Sequence, residues 1–273
     1  MKIVSFNVNS VRMRLHQLEA VIKRHAPDFI GLQETKVQDH EFPKEAIESL
    51  GYHVEYTGQK THYGVALLSK LPFKNVQKGF SSDPADAQKR FIAGTFVHPK
   101  IKNEITIING YFPQGESRQH PTKFPAKKKF YQDLQQLLTS NYKSSDDIIV
   151  MGDVNISSQD IDIGIGEDSR KRWLRTQKCS FLPEEREWLN RLFEWGLADT
   201  YRERHPKLQA EAYSWFDYRS KGFAREPRRG LRIDLILATQ SLMAAGIESG
   251  IDYDIRAMDK PSDHAPVWTE FKL

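Results

Sequence analysis

The sequence predicts an α/β fold, with two packed β-sheets and helices outside them in one domain spanning 1–273. Three observations predict it. Short apolar runs rich in β-branched residues recur from one end of the chain to the other, and helical periodicity falls between them. No Pro/Gly-rich or low-complexity linker divides the chain, so nothing marks a boundary between domains.

Taken in order, "KIVSFNV" (2–8) alternates Val4, Phe6 and Val8 with Ser5, Asn7 and, just beyond, Asn9, as a strand does. "LHQLEAVIKRH" (15–25) has helical spacing, "DFIGLQE" (28–34) reads as a strand and "FPKEAIESLG" (42–51) as a helix. Strands follow at "GVALLSK" (64–70), "RFIAGTFV" (90–97) and "ITIINGYF" (105–112), then a helix at "KKKFYQDLQQLLTS" (127–140). "DIIVMGDVN" (147–155) is a strand ending in polar residues. "PEEREWLNRLFEWG" (183–196) is a helix with Pro183 at its start, acids in its first turn and Gly196 as its stop. "LRIDLILA" (231–238) and "PVWTEFKL" (266–273) close the list of strands. The stretches near 80–90, 113–124, 156–182 and 219–231 read as irregular, and loops of that length are usually functional or disordered.

A chain of 273 residues that is 39% hydrophobic and 11% aromatic can bury a sizeable core. Net charge is +4 and the pI is near 8.9, which suits a polyanionic partner without requiring one. One cysteine, Cys179, excludes an intramolecular disulfide and a CxxC zinc site, and reads as a packing residue in a reducing compartment. Polar Ser5, Asn7 and Asn9 interrupt any signal-peptide run, and no stretch approaches a membrane span. A cytoplasmic protein is expected.

The chemistry is carried by strand ends. Gly152 precedes Asp153, and Asn155 lies two residues on, hence on the same side of an extended chain. The same residues are also ordinary turn formers. "DFIGLQE" ends in Glu34, and Asp234 lies inside an apolar run, where an unpaired carboxylate is costly and a structural hydrogen-bonding role is common. "PSDHAPV" (261–267) adds adjacent Asp263 and His264 between two prolines. Four such strands followed by an Asp-His pair argue for convergence. Asn7, Glu34, Asp153, Asn155 and Asp263 are hard oxygen donors, an inventory that suits Mg²⁺ or Mn²⁺ and argues against structural zinc.

"FNVNSVR", "DFIGLQETK", "INGYFPQGES", "GDVNI", "SWFDYRSKGF", "GLRIDLIL" and "PSDHAPVW" together resemble the exonuclease III-like branch of the endonuclease/exonuclease/phosphatase superfamily, over essentially the whole chain. The resemblance implies a four-layer α/β sandwich, DNase I-like, with two packed mixed sheets flanked by helices. It implies a Mg²⁺-dependent phosphodiesterase acting on duplex DNA at abasic sites and 3′ ends. Glu34 matches the principal metal carboxylate, with Asn7, Asp153, Asn155 and Asp263 around the same centre. Tyr111 matches the active-site tyrosine, Asp153 the group that activates water, and Asn155 a transition-state stabiliser. Asp234 matches the acid that orients the histidine, and His264 the histidine on the scissile phosphate.

Arg90 and Gln114 fall in loops that similar proteins place against DNA. Lys123 stands in "KFPAKKKF" (123–130), which interleaves cations with aromatics, as "RKRWLR" (170–175) does; a solvated helix face has the same look. Trp215, Phe216, Leu231 and Ile233 are candidates to wall a pocket for an extruded baseless sugar, although aromatics are more often core. "GFAREPRRGLR" (222–232) is longer and more basic than the resemblance leads one to expect. A DNase I-like nonspecific endonuclease, a lipid phosphodiesterase on the same scaffold and a non-catalytic DNA-binding module are the competing readings. The expected protein is a monomer with no membrane partner.

Overall fold

The computed structural model describes residues 1–99, 104–207 and 212–273. Strand β1 (Lys2–Asn7), helix α1 (Leu15–His25), β2 (Phe29–Gln33), α2 (Lys44–Glu48), β3 (His53–Thr57) and β4 (Val65–Ser69) come first. Next are β5 (Asn75–Lys78), β6 (Phe91–Val97), β7 (Glu104–Tyr111), α3 (Lys123–Asn141) and β8 (Asp147–Asp153). Helices α4 (Glu167–Arg175) and α5 (Pro183–Trp195) lead to β9 (Leu197–Asp199) and α6 (Thr200–Arg204). The chain ends with β10 (Asp234–Thr239), α7 (Gln240–Met243), β11 (Ile247–Ile251), α8 (Tyr253–Arg256) and β12 (Val267–Phe271).

One sheet runs β11-β12-β1-β2-β4-β3 and the other β5-β6-β7-β8-β10-β9. Both are mixed, because β1 and β2 are parallel, β7 and β8 are parallel, and the other neighbours are antiparallel. Ile3, Phe29 and Leu67 of the first sheet meet Ile107, Ile149, Met151 and Ile236 of the second. On the outer faces, Leu18, Val21, Ile47 and Ile255 cover the first sheet, while Leu134, Leu138, Leu189 and Leu192 cover the second. Helices, sheet, sheet and helices make four layers. Strands β2, β4 and β8 are therefore buried on both sides, which is why they read as mostly apolar runs.

Three local differences from expectation have physical causes. α3 starts at Lys123, because Pro125 falls in the first turn, where its missing N–H is no loss. α4 occupies part of the 156–182 stretch expected to be irregular; it buries no residue, so it has no core stripe for a pattern to reveal. Four strands that were not expected, β3, β5, β9 and β11, are the four sheet edges.

Candidate active site

The two parallel pairs end at one place. Asn7 is the last residue of β1, Glu34 follows β2, and Tyr111 and Asp153 end β7 and β8 in register with each other. Antiparallel β10 begins there, with Asp234 opposite Asp153. Gly152 is what allows this crowding: a Cβ on it would lie 1.9 Å from the Gly110 carbonyl oxygen, its neighbour on β7. The Asn7 amide donates to Glu34 Oε1 at 2.9 Å and to Asp153 Oδ2 at 3.0 Å, tying the two sheets together.

His264 completes the cluster. Its Nδ1 is 2.8 Å from Asp234 Oδ2 and its Nε2 is 3.8 Å from Asp153 Oδ2. The "PSDHAPV" segment is held from several sides. The Ser262 hydroxyl donates to the Asn7 carbonyl, the His264 N–H to Ser262 Oγ, and the Ala265 N–H to the Ser214 carbonyl. The Ser214 hydroxyl in turn accepts from the Asp234 N–H, so one serine holds Asp234 and the residue that follows His264.

Charge is unevenly balanced here. Burial alone would lower the His264 pKa, but the Asp234 and Asp153 carboxylates push it up to about 10. Burial pushes Asp153 up to about 8; His264 pulls against this, while Asp234 and Glu34 add to it. Burial also works against the Glu34 carboxylate, yet Lys36 at 2.8 Å and the Asn7 amide hold it below its ordinary value. The Tyr111 phenol is pushed well up by burial and by Glu34 and Asp153, and stays a donor. Glu34, Asp153 and His264 offer ligand atoms within 4.8 Å of one another, a possible metal site. Two oxygen donors facing each other, one of them held protonated by burial, fit a divalent cation.

Other expected ligands are turned elsewhere. Asn7 presents its NH₂ to the carboxylates, while its oxygen accepts the Asn9 N–H. Asp263 accepts from Asn9 Nδ2 at 2.8 Å and Trp215 Nε1 at 3.0 Å, and lies outside the cluster of ligand atoms. Asn155 does not share a strand face with Asp153. It has left-handed backbone (φ 54) past the strand end, its N–H caps Asp153 Oδ1 and its amide donates to the Phe112 carbonyl. The turn chemistry and the site are one structure. Glu34 and Lys36 also adopt positive φ, a strain that clusters at functional sites.

The Endonuclease/Exonuclease/phosphatase family pattern matches residues 4–264. The chain belongs to this family. It is 58% identical over 275 residues to exodeoxyribonuclease III of Haemophilus influenzae, covering 100% of both. An AP endonuclease from Archaeoglobus fulgidus superposes with a TM-score of 0.89 at 33% identity, again covering 100% of both chains. A 3′ phosphatase from Neisseria, solved bound to product DNA hairpin, superposes at 0.88 with 34% identity and the same coverage. Within the family the chain is an enzyme of the exodeoxyribonuclease III type. Among its described residues, no helix is long and apolar enough to cross a membrane.

Around this family centre the remaining candidates divide. The Arg90 guanidinium lies 4.1 Å from the Tyr63 ring and 4.6 Å from the Tyr111 ring, and donates to the Tyr111 carbonyl, so it braces the tyrosine. Gln114 caps the Glu116 N–H, and exposed Lys123 pairs with Glu116 at 2.5 Å. Phe216 is a correction: it is fully buried against Phe223 and Tyr253 and walls no open pocket. Leu231 and Ile233 are likewise closed into an apolar cluster with Ile163 and Phe181. Of the four proposed walls, half-buried Trp215 lines a cavity of about 390 Å³, and that cavity is basic, with Arg172, Lys178, Arg219, Arg225 and Arg229 around it. Two arginines of the 222–232 segment thus face it, whereas Arg232 is buried between Asp162 and Asp199. Lys127, in the basic run 123–130, is a further correction. It is fully buried in an ion pair with Glu185, while Lys128 and Lys129 stay exposed. Lys36 was the active-site cation that sequence reasoning passed over. Its signal was a lysine two residues beyond a strand-end acid.

Proposed function

We propose that this enzyme, a DNA-repair phosphodiesterase, cuts duplex DNA 5′ of abasic sites and works from 3′ ends as an exonuclease and end-cleaning phosphatase. It acts in the cytoplasm as a monomer with one catalytic domain over 1–273 and uses Mg²⁺, or Mn²⁺ in its place. One observation carries the reading: Glu34, Asp153 and His264 converge within 4.8 Å with Asp234 behind the imidazole.

Glu34 and Asp153 would hold the cation, which supplies Lewis-acid stabilisation of charge on the phosphate. Asn7 and Asp263 would join them through the oxygen lone pairs left free by the Asn9 and Trp215 bonds described above. Asp153, freed of its own proton when the cation is bound and 3.8 Å from His264 Nε2, would accept a proton from the attacking water. Asp234 keeps His264 oriented and charged, so that Nε2 can donate to a phosphate oxygen as negative charge grows there. Tyr111 adds a phenolic donor, held by Arg90, and Asn155 a rigid amide at the strand end. Gln114, Lys123 and the Trp215 cavity would meet the DNA backbone and the extruded sugar.

The test is one end-labelled duplex with a single abasic analogue, incubated with and without Mg²⁺. A metal-dependent product ending at the lesion supports the reading, and ladders from the 3′ end report the exonuclease. Release from labelled phospholipid, with none from abasic DNA, would overturn it.

A further inference from the structure

Lys127 belongs to none of the roles assigned above. Its side chain is fully buried, 58 residues in sequence from its partner Glu185. The ammonium lies 2.5 Å from Glu185 Oε1, 2.8 Å from the Asn155 carbonyl and 3.3 Å from the Gln114 carbonyl. Those three acceptors use all three of its N–H donors. We propose that Lys127 is a positioning residue whose buried ammonium fixes the two loops that present Asn155 and Gln114 to the substrate.

Both loops pass through left-handed backbone, which their own bonds, Asn155 N–H to Asp153 Oδ1 and Glu116 N–H to Gln114 Oε1, hold only within each loop. Asn155 has φ 54, and the turn after Gln114 passes through Gly115 at φ 86 and Glu116 at φ 61. Left-handed conformations are unfavourable for non-glycine residues and persist where the surroundings over-determine them. A single cation gripping a carbonyl on each loop does this. The lysine stem adds steric definition, since a Cβ on Gly115 would lie 3.0 Å from Lys127 Cδ and 2.8 Å from Cys179 Sγ. Glu185 anchors the device to α5. Its other oxygen accepts from the Ser180 and Leu182 N–H groups, each at 2.8 Å. The loops are thereby referenced to a helix end rather than only to each other. A pair whose sole task was stability could be replaced by neutral side chains at little cost; one that grips both loops could not be replaced without loosening them.

The inference rests on the proposed roles of Asn155 and Gln114, and the experiment separates the two. The variant is Lys127→Met with Glu185→Gln, which leaves no lone buried charge and keeps an oxygen for Ser180 and Leu182. Melting temperature, hydrogen exchange and steady-state kinetics on an abasic duplex are measured together. We expect a folded protein, faster exchange confined to the segments near 113–118 and 154–158, and a kcat about 100-fold lower, the scale for a small misplacement of catalytic groups. A folded variant with unchanged exchange in both segments, or with kcat within about twofold of the parent enzyme, overturns the proposal. If the parent enzyme itself fails to incise, the functional reading falls, and the exchange result still decides whether the ammonium fixes the loops. Should the double variant not fold, Glu185→Gln alone is measured the same way; it should shift both readouts in the same direction, and no shift in either refutes the clamp.

Discussion

Trp215 has two jobs that one substitution can separate. Its indole N–H donates to Asp263 at 3.0 Å, and its ring faces the basic cavity. Trp215→Phe keeps an aromatic wall and removes the donor. A hydrogen bond to a charged group is worth about 1.5–3 kcal/mol, and half-burial places this one near the lower end. About 1.5 kcal/mol corresponds to roughly a tenfold loss in rate. Asp263 keeps only the Asn9 amide at 2.8 Å, so that loss should fall on every substrate that uses the centre. Trp215→Ala should cost the same on a small phosphodiester and distinctly more on abasic DNA, because it also opens the cavity. Rates on both substrates are compared for proteins with matching circular dichroism and melting temperature. If Trp215→Phe stays within about twofold of the parent enzyme on both, Asp263 does not need the indole and the reasoning is wrong.

Metal binding should release close to one proton near pH 7. Asp153 is raised to about 8, so it is protonated there until a cation displaces the proton, and affinity should climb from about pH 6 to 8. Titration calorimetry in two buffers of different ionisation enthalpy checks this, and equal apparent heats would contradict it. His264→Ala should cost about 2.7–4 kcal/mol of transition-state stabilisation if its Nε2 acts as an oxyanion-type donor. Asp234→Asn should then add little in that background, since its carboxylate sits on Nδ1; additive losses in the kinetic cycle would assign Asp234 a separate task. Lys128→Glu should weaken binding to all duplexes alike and lower the salt slope by about one, whereas an unchanged slope would make it a solvated surface lysine.

The eight strands visible in the sequence are the eight inner strands of the two sheets. That follows from burial. Inner strands β2, β4 and β8 have a sheet on one side and helices on the other, so their runs are buried throughout and mostly apolar. The edges β3 "HVEYT", β5 "NVQK", β9 "LAD" and β11 "IESGI" are short or carry charge and exposure, as strands that must not recruit another sheet do. Most of the centre was legible for the same reason: Glu34, Asp153 and Asp234 interrupt or end apolar runs, where a carboxylate needs a purpose. What each group touches was not legible. The Asn7 oxygen is taken by its near neighbour Asn9, and the Asp263 oxygens are taken by Asn9 and Trp215, which arrive from distant segments.

Lys127 shows where a stricter reading of the pattern would have gone further. Read as one of three consecutive lysines, it belongs to a solvated basic run. Read on the helix it occupies, it stands three residues before Phe130, four before Tyr131, seven before Leu134 and eleven before Leu138, all of them buried. Those spacings put it on the apolar stripe of α3, and they put Lys128 and Lys129 off it. A cation on that stripe can only be paired or absent, because an isolated buried charge is too costly to keep. Its partner obeys the same logic. Glu185 stands at the third position of α5, where a carboxylate turns back to cap the helix start and is drawn below the surface. Two charges on buried positions of neighbouring helices therefore predict each other, and with them a fixed point beneath the loops that leave β7 and β8.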